Sequence, residues 1–288
     1  MLAVAGFAAL TIAARAPAEP RCPPLRVMTY NIRLALESDG PNRWEARRRA
    51  FIGQVQLMQP AILGLQEVVA AQKADLERWL PGYTFLGVAR DDGRSAGEFS
   101  NLAIDRSLFE VKSSGTFWLS PTPETPSKGW DAAYRRIATW AHLVRRGDGH
   151  RFLALNTHLD NEGPQARFEG AREILGWLAV NRAPGESVLM TGDFNSEPGS
   201  PPYEALTSSA LGLRDARTVS SWPPIGPEGT FNNFDPLPAS SRRIDYVLID
   251  PTISVERYAV LSWHGEEGRV ASDHFPVVAD LDACEPPR

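Results

Sequence analysis

The stretch VLMTGDFNS, Val188 to Ser196, sets the pattern for the chain: a short apolar run that reads as a buried strand, stopped by Gly192-Asp193, with Asn195 two residues on. The same arrangement recurs at other strand ends. Asn31 follows Met28-Thr29-Tyr30, Glu67 follows Leu65-Gln66, and His158 and Asp160 follow Leu155-Asn156-Thr157. Asp245 stands in Arg243-Ile244-Asp245-Tyr246, and Asp273-His274 in Ser272-Asp273-His274-Phe275-Pro276. A strand end is where a rigid scaffold presents a side chain to a cleft. Any one of these is weak evidence, because Asp and Asn also end strands and satisfy turns. As a set, oxygen ligands with two histidines and no cysteine partner suit a hard cation such as Mg²⁺ or Mn²⁺ and a phosphate, and no zinc-type site is indicated.

Outward from these ends, strands and helices alternate. Leu25 to Ile32 reads as a strand, Trp44 to Met58 as an amphipathic helix ended by Pro60, and Ala61 to Leu65 as a buried strand. A helix over Lys73 to Leu80 stops at Pro81-Gly82, and strands are expected at Thr84 to Val88, Asn101 to Asp105 and Glu110 to Trp118. Arg136 to Arg145 and Arg151 to His158 read as two strands joined at Arg146-Gly147-Asp148-Gly149, followed by a helix over Gln165 to Val180. Val188 to Thr191, Asp245 to Ile249 and Val277 to Leu281 complete the strands. No repeat or linker divides the chain, so residues 21–288 are expected to form one domain.

Met1 to Ala14 is almost wholly apolar and runs into Arg15-Ala16-Pro17-Ala18-Glu19-Pro20. Residues 1–20 therefore resemble a secretory leader, without the usual basic start and too short for a comfortable membrane span; as a leader they place the expected protein outside the cytoplasm, periplasmic or extracellular, with no transmembrane segment in the mature chain, the alternative being a disordered or buried N-terminal extension. The two cysteines, Cys22 and Cys284, bracket the remainder, and in an oxidising compartment a disulfide between them is reasonable. The net charge of −5 argues against a strong duplex nucleic-acid surface, which needs clustered Lys and Arg. Arg47-Arg48-Arg49 and Arg242-Arg243 read as solvated charge.

The ordered series MTYNIR, LQEV, NTHLD, GDFNS, RRIDYVL and SDHFPV, spread over Leu25 to Leu281, resembles the endonuclease/exonuclease/phosphatase superfamily, which includes deoxyribonucleases, apurinic endonucleases, neutral sphingomyelinases and inositol-polyphosphate phosphatases. The resemblance implies an α/β fold, a four-layer α/β/β/α sandwich with two mixed sheets. It implies Glu67 as principal metal ligand assisted by Asn31 and Asp273, and Asp193 as the residue that orients or deprotonates the attacking water. His274 and His158 would contact phosphoryl oxygens, Asn195 would position the phosphate or nucleophile, and Asp245 would orient a histidine. Arg136 sits where similar proteins carry an arginine near the phosphate, and Asp160 is expected either as a further contact or as a cap on the following turn. His142, His150 and His264 have no motif around them and stay outside the expected site.

The chemistry so implied is water attack at phosphorus, in which a cation and imidazole donors stabilise charge on the departing and non-bridging oxygens. The partner is a phosphate ester, either a small molecule or nucleic acid. An exported phosphodiesterase or nuclease of loose specificity is the first expectation. The alternatives are a phosphomonoesterase or lipid phosphodiesterase of the same fold, or a binding module that kept the fold without the chemistry. Neither a lipid-anchoring segment nor an obvious basic cluster for a polyanionic ring is evident. Pro121 to Asp131, aromatic enough to line a substrate cleft, and Gly226 to Pro238, whose Phe231 and Phe234 could wall the site, read as loops for which covering the core is the plainer job.

Overall fold

The computed structural model describes residues 25–238, 242–265 and 268–284. The expected leader and Cys22 lie outside them. In chain order the elements are β1 (Leu25–Asn31), α1 (Trp44–Met58), β2 (Ile62–Val68), α2 (Ala70–Trp79), β3 (Tyr83–Leu86) and β4 (Phe99–Asp105). The second half holds β5 (Phe109–Trp118), β6 (Ile137–Arg145), β7 (Arg151–His158), α3 (Pro164–Asn181), β8 (Ser187–Asp193) and α4 (Pro201–Thr207). It closes with β9 (Arg214–Asp215), β10 (Asp245–Ile249), β11 (Ser254–Val260) and β12 (Val277–Asp282). No helix among the described residues is long and apolar enough to cross a membrane.

These strands make two six-stranded sheets, ordered β11-β12-β1-β2-β4-β3 and β5-β6-β7-β8-β10-β9. Both are mixed: β1 runs parallel to β2, and β7 to β8, while their other neighbours are antiparallel. Three buried clusters show how the layers stack. One joins Trp44, Phe51, Val55 and Leu76 of α1 and α2 to Met28, Leu63 and Leu65 of the first sheet. Another joins Ile174, Leu178 and Leu206 of α3 and α4 to Leu155, Met190 and Leu248 of the second. The third lies between the sheets and takes residues from both, among them Val27, Ile62, Leu143, Ala154 and Val247. Three apolar interfaces between four layers make the α/β/β/α sandwich implied by the resemblance.

The intersheet layer becomes polar toward one end. Asn156 donates to the carbonyls of Leu65 and Asn101 at 2.8 and 2.9 Å and accepts from Gln66 at 2.7 Å and Thr191 at 3.0 Å. Gly64 lets the sheets close here, since a Cβ at that position would meet the Thr191 hydroxyl at 2.1 Å. Buried polar groups that are mutually satisfied specify one register, whereas an apolar layer tolerates sliding.

Element boundaries depart from the sequence reading where a local signal was masked. α2 begins at Ala70 rather than Lys73, because the Gln72 side chain reaches back to the Val69 N–H at 3.1 Å and satisfies the first turn. α4 was not anticipated; it opens on Pro201 and Pro202, and proline is tolerated in the first turn of a helix, where its missing N–H costs nothing. β11 was not anticipated either, and a register shift between Val255 and Arg257 breaks its two-residue period.

Candidate active site

Parallel strands ending at one edge of the sandwich, and antiparallel partners beginning there, bring distant residues together. Asn31 closes β1, His158 closes β7, Asp193 closes β8 and Asp245 opens β10, with Asp273-His274 just ahead of β12. His158, Asp193, Asp273 and His274 line a cleft of about 680 Å³, and Asn31 and Asp245 stand behind them, hydrogen-bonded to Asp193 and His274. Glu67 needs a further device. Regular alternation would send its side chain to the helix side with Leu63 and Leu65, but β2 is irregular against β4 between Leu65 and Val68, and Glu67 has φ of 61°. Such a bulge re-aims one side chain, and Glu67 lines the cleft.

The floor is a hydrogen-bonded network. Asn31 Nδ2 donates to Glu67 Oε1 and to Asp193 Oδ2, each at 2.9 Å, and its Oδ1 accepts from the Arg33 N–H at 3.0 Å. The Leu34 N–H donates to Glu67 Oε2 at 3.1 Å, and the Asn195 N–H donates to Asp193 Oδ1 at 2.9 Å. The Thr230 hydroxyl accepts from the backbone N–H groups of Ile244 and Asp245, fixing the start of β10.

The two histidines of this floor are set in opposite states. His274 Nδ1 lies 2.8 Å from Asp245 Oδ2, and its Nε2 lies 3.7 Å from Asp193 Oδ2. Burial opposes the imidazolium, but Asp245, Asp193 and Asp273 outweigh it and raise the group to about 10. His158 has the reverse setting. Burial, Arg136 and Arg90 hold its imidazole well below the usual range, so it is neutral. Asn195 Nδ2 donates to the Leu159 carbonyl at 3.0 Å and lies 2.9 Å from His158 Nε2, so Nε2 accepts and Nδ1 carries the proton. That Nδ1 has no hydrogen-bond partner among the described residues, and the Glu98 carboxylate stands 3.9 Å away.

Arg136 lines the cleft, and its Nε and Nη2 donate to Asp160 at 3.1 Å and Asn161 at 2.7 Å. Asp160 is turned away from the cleft. Its oxygens accept from Arg136 and from the N–H groups of Ala133, Tyr134, Glu162 and Gly163, so it organises the turn and holds Arg136 rather than facing a ligand. The other sequence-selected residues converge on the floor. His142 pairs with Glu186 and His150 with Ser187, away from it.

Several lining residues escaped the sequence reading. Arg90 and Glu98, in the loop between β3 and β4, and Tyr134, in the loop between β5 and β6, have no motif around them, while Arg33 and Arg242 stand inside the MTYNIR and RRIDYVL runs without having been assigned to the site. The Gly226 to Pro238 loop takes the less plain of its two expected roles, with Phe231 and Phe234, joined by Asn233, on the cleft wall. Pro121 to Asp131 does keep to structural work, with Asp131 accepting from the Ala166 N–H at 2.7 Å at the start of α3. Arg47, read as a solvated charge, is fully buried: it donates to the carbonyls of Ile32, Arg33, Asn42 and Ala271 and so ties together the loops beside Asn31 and Asp273. The run Arg47-Arg48-Arg49 hid this because a helix turns about 100° per residue, and only one of three successive side chains faces inward.

Backbone strain concentrates at the same place. Seven non-glycine described residues have left-handed φ, and five of them, Arg33, Glu67, Asn195, Asn233 and Phe234, line the cleft. Such conformations persist where surrounding structure over-determines them, and they cluster at functional sites.

The acidic end fits a hard divalent cation. Glu67, Asp193 and Asp273 crowd together, and burial raises both Asp193 and Asp273, with Asp245 adding to the first and Glu67 to the second. Arg33, 3.8 Å from Asp273, is a partial counter-charge. Asp193, Asp245 and His274 also converge within 4.8 Å as a potential ligand set. There, however, Asp245 is committed to His274, and an imidazolium has no lone pair to offer. The carboxylates of Glu67 and Asp273 are the better oxygen donors, with Asn31 as placed bracing Glu67 against Asp193.

Comparison with known proteins agrees with this geometry. The family model described as "Endonuclease/Exonuclease/phosphatase family" matches residues 28–274. A mannosyl-6-phosphatase of Bacteroides thetaiotaomicron is similar at 37% identity and a TM-score of 0.84, over 89% of this chain and 99% of that one. A Bacteroides vulgatus endonuclease/exonuclease/phosphatase is similar at 34% identity and a TM-score of 0.86, over 91% of this chain and 100% of that one. An uncharacterized protein of Acanthamoeba polyphaga mimivirus is 25% identical over 163 residues, 54% of this chain and 60% of that protein, so the match spans less than two thirds of that relative. With its motif residues converging on one cleft and the family model spanning most of its length, the chain belongs to the endonuclease/exonuclease/phosphatase family.

Proposed function

We propose that this protein is a divalent-metal-dependent phosphomonoesterase acting on the phosphate of a small polyol such as a sugar, with Mg²⁺ or Mn²⁺ as the cation. The observation that carries the reading is the floor network, in which one aspartate, Asp193, lies within reach of two histidines held in opposite protonation states. Three further features favour a small monoester over the nuclease first expected from sequence. The site is a cleft of about 680 Å³, the arginines Arg33, Arg90, Arg136 and Arg242 gather around it to meet a dianion, and a mannosyl-6-phosphatase is similar over almost its whole length.

A cation held by Glu67 and Asp273 would neutralise charge on a phosphoryl oxygen. Asp193, held at both oxygens by Asn31 and Asn195, accepts the proton of the attacking water. His274 donates from Nε2 toward the phosphoryl group while Asp245 holds Nδ1. Asn195 keeps the neutral His158 in one tautomer, and Arg136 supplies a fixed cation beside it. Water and the ester give the free alcohol and inorganic phosphate.

The test is hydrolysis by purified protein of mannose 6-phosphate, glycerol phosphate, bis(p-nitrophenyl) phosphate and single-stranded DNA, each with EDTA, Mg²⁺ or Mn²⁺. Metal-dependent release of phosphate from the monoesters is expected. Turnover of the diester or DNA alone would return the reading to a phosphodiesterase, and turnover undiminished by EDTA would remove the metal. Export is part of the same proposal, resting on the leader-like residues 1–20; mass spectrometry of unreduced exported protein, looking for a Cys22–Cys284 link, is the check.

A further inference from the structure

One aromatic residue of the cleft, Tyr134, has no part in the reaction chemistry. Tyr134 is 49% exposed and lines the cleft, with its ring centroid 4.9 Å from the Arg90 guanidinium and 5.7 Å from that of Arg136. Its backbone is pinned, since the Ala133 and Tyr134 N–H groups both donate to Asp160 at 3.1 and 3.2 Å. The ring is therefore presented from a fixed support.

Arg90 and Arg136 are 8% and 5% exposed, and the guanidinium-bearing side chains of both line the cleft. Beside them the Glu98 carboxylate, 2.8 Å from Arg90 Nη1, also lines the cleft. An exposed aromatic face, fixed donors and one acceptor match a hydroxylated ring: its C–H face lies on the tyrosine, hydroxyl oxygens accept from the guanidinium groups, and a hydroxyl hydrogen goes to Glu98.

We propose that Tyr134, Arg90 and Glu98 form the subsite for the leaving alcohol, and that Tyr134 selects a pyranose-sized polyol ring over an acyclic alcohol. This rests on the phosphomonoesterase reading above. The aromatic face rewards ring area, so the preference belongs to the ring and not to the phosphate.

The experiment measures kcat and KM for mannose 6-phosphate and glycerol phosphate, with Mg²⁺ or Mn²⁺, in wild type, Tyr134→Ala and Tyr134→Phe, with Tm as the folding control. In Tyr134→Ala the ratio of kcat/KM for the ring ester to that for the acyclic ester falls about tenfold, mostly through KM, the scale of one aromatic contact. Tyr134→Phe keeps the ratio within about twofold of wild type, because the ring face remains. An unchanged ratio in Tyr134→Ala, or a wild type that does not distinguish the two esters, overturns the subsite while the phosphatase reading stands. A wild type that hydrolyses neither monoester but cleaves a diester overturns both.

Discussion

The two sides of the cleft hold the same residue type in contrary states. On the β10 and β12 side, His274 sits among Asp245, Asp193 and Asp273 and is held protonated. On the β6 and β7 side, His158 sits among Arg136 and Arg90 and is held neutral. Both imidazoles are buried, so burial alone does not separate them; the sign of the neighbouring charge does. In the proposed reaction the acidic side would hold the cation and move protons, and the arginine side would meet the phosphate and the alcohol attached to it.

The largest effect expected from breaking this contrast comes at the point between the sides. Asp193→Asn removes the acceptor that faces both histidines, and kcat should fall by about 10³- to 10⁴-fold with the fold intact by circular dichroism. A fall of less than tenfold would mean that another group takes the proton. On the acidic side, Glu67→Gln should raise the metal concentration for half-maximal activity by about 10- to 100-fold, read from a titration of EDTA-stripped protein. An unaltered titration would move the cation elsewhere.

On the arginine side the expected change is smaller and has a signature in pH. Burial would raise Asp160, but the N–H groups of Gly163 and Ala133, together with Arg136, hold it at about 2. A carboxyl depressed in the folded state contributes stability above its unfolded value near about 4, and that contribution is lost as pH falls toward 2. Asp160→Asn should therefore flatten the dependence of Tm on pH between about 4 and 2 and raise KM by freeing Arg136. A slope equal to wild type would show that this carboxylate carries no such linkage.

Glu173 sharpens the comparison from outside the cleft, and its effect is the smallest. Burial pushes it up to about 8, with Glu124 adding to the shift and the Ser120 N–H opposing it. Here the folded state binds the proton more tightly, so stability falls as pH rises from about 4 to 8. Glu173→Gln should raise Tm at pH 9 by about 2 to 4 °C while leaving turnover alone. A raised acid beside the catalytic cluster serves the reaction, whereas the same shift on α3 is only a burden on folding; loss of turnover in this variant would contradict that division.

Much of the fold was legible because alternation and turn residues are local signals. β7 and β10 match their expected spans, and α1 runs from Trp44 to Met58 as its apolar spacing and Pro60 required. β9, with only two residues, has no period to detect. The site divides along the same line. Asn31, Glu67, His158, Asp193, Asn195, Asp245, Asp273 and His274 stand within recognisable motifs, while Glu98, Arg90 and Tyr134 stand in loops that carry no pattern.

By itself the sequence determined the alternating elements, the family and the acids, amides and imidazoles of the floor, because each depends on residue type and short spacing. Only the tertiary structure decided that Glu67 turns through a bulge into the cleft, that Arg47 is buried beneath it, that Asp160 serves Arg136, and which histidine is charged. Each of these turns on what a side chain meets across the sandwich, and burial, charge and hydrogen bonding between residues far apart in the chain exist only once the two sheets have closed on each other.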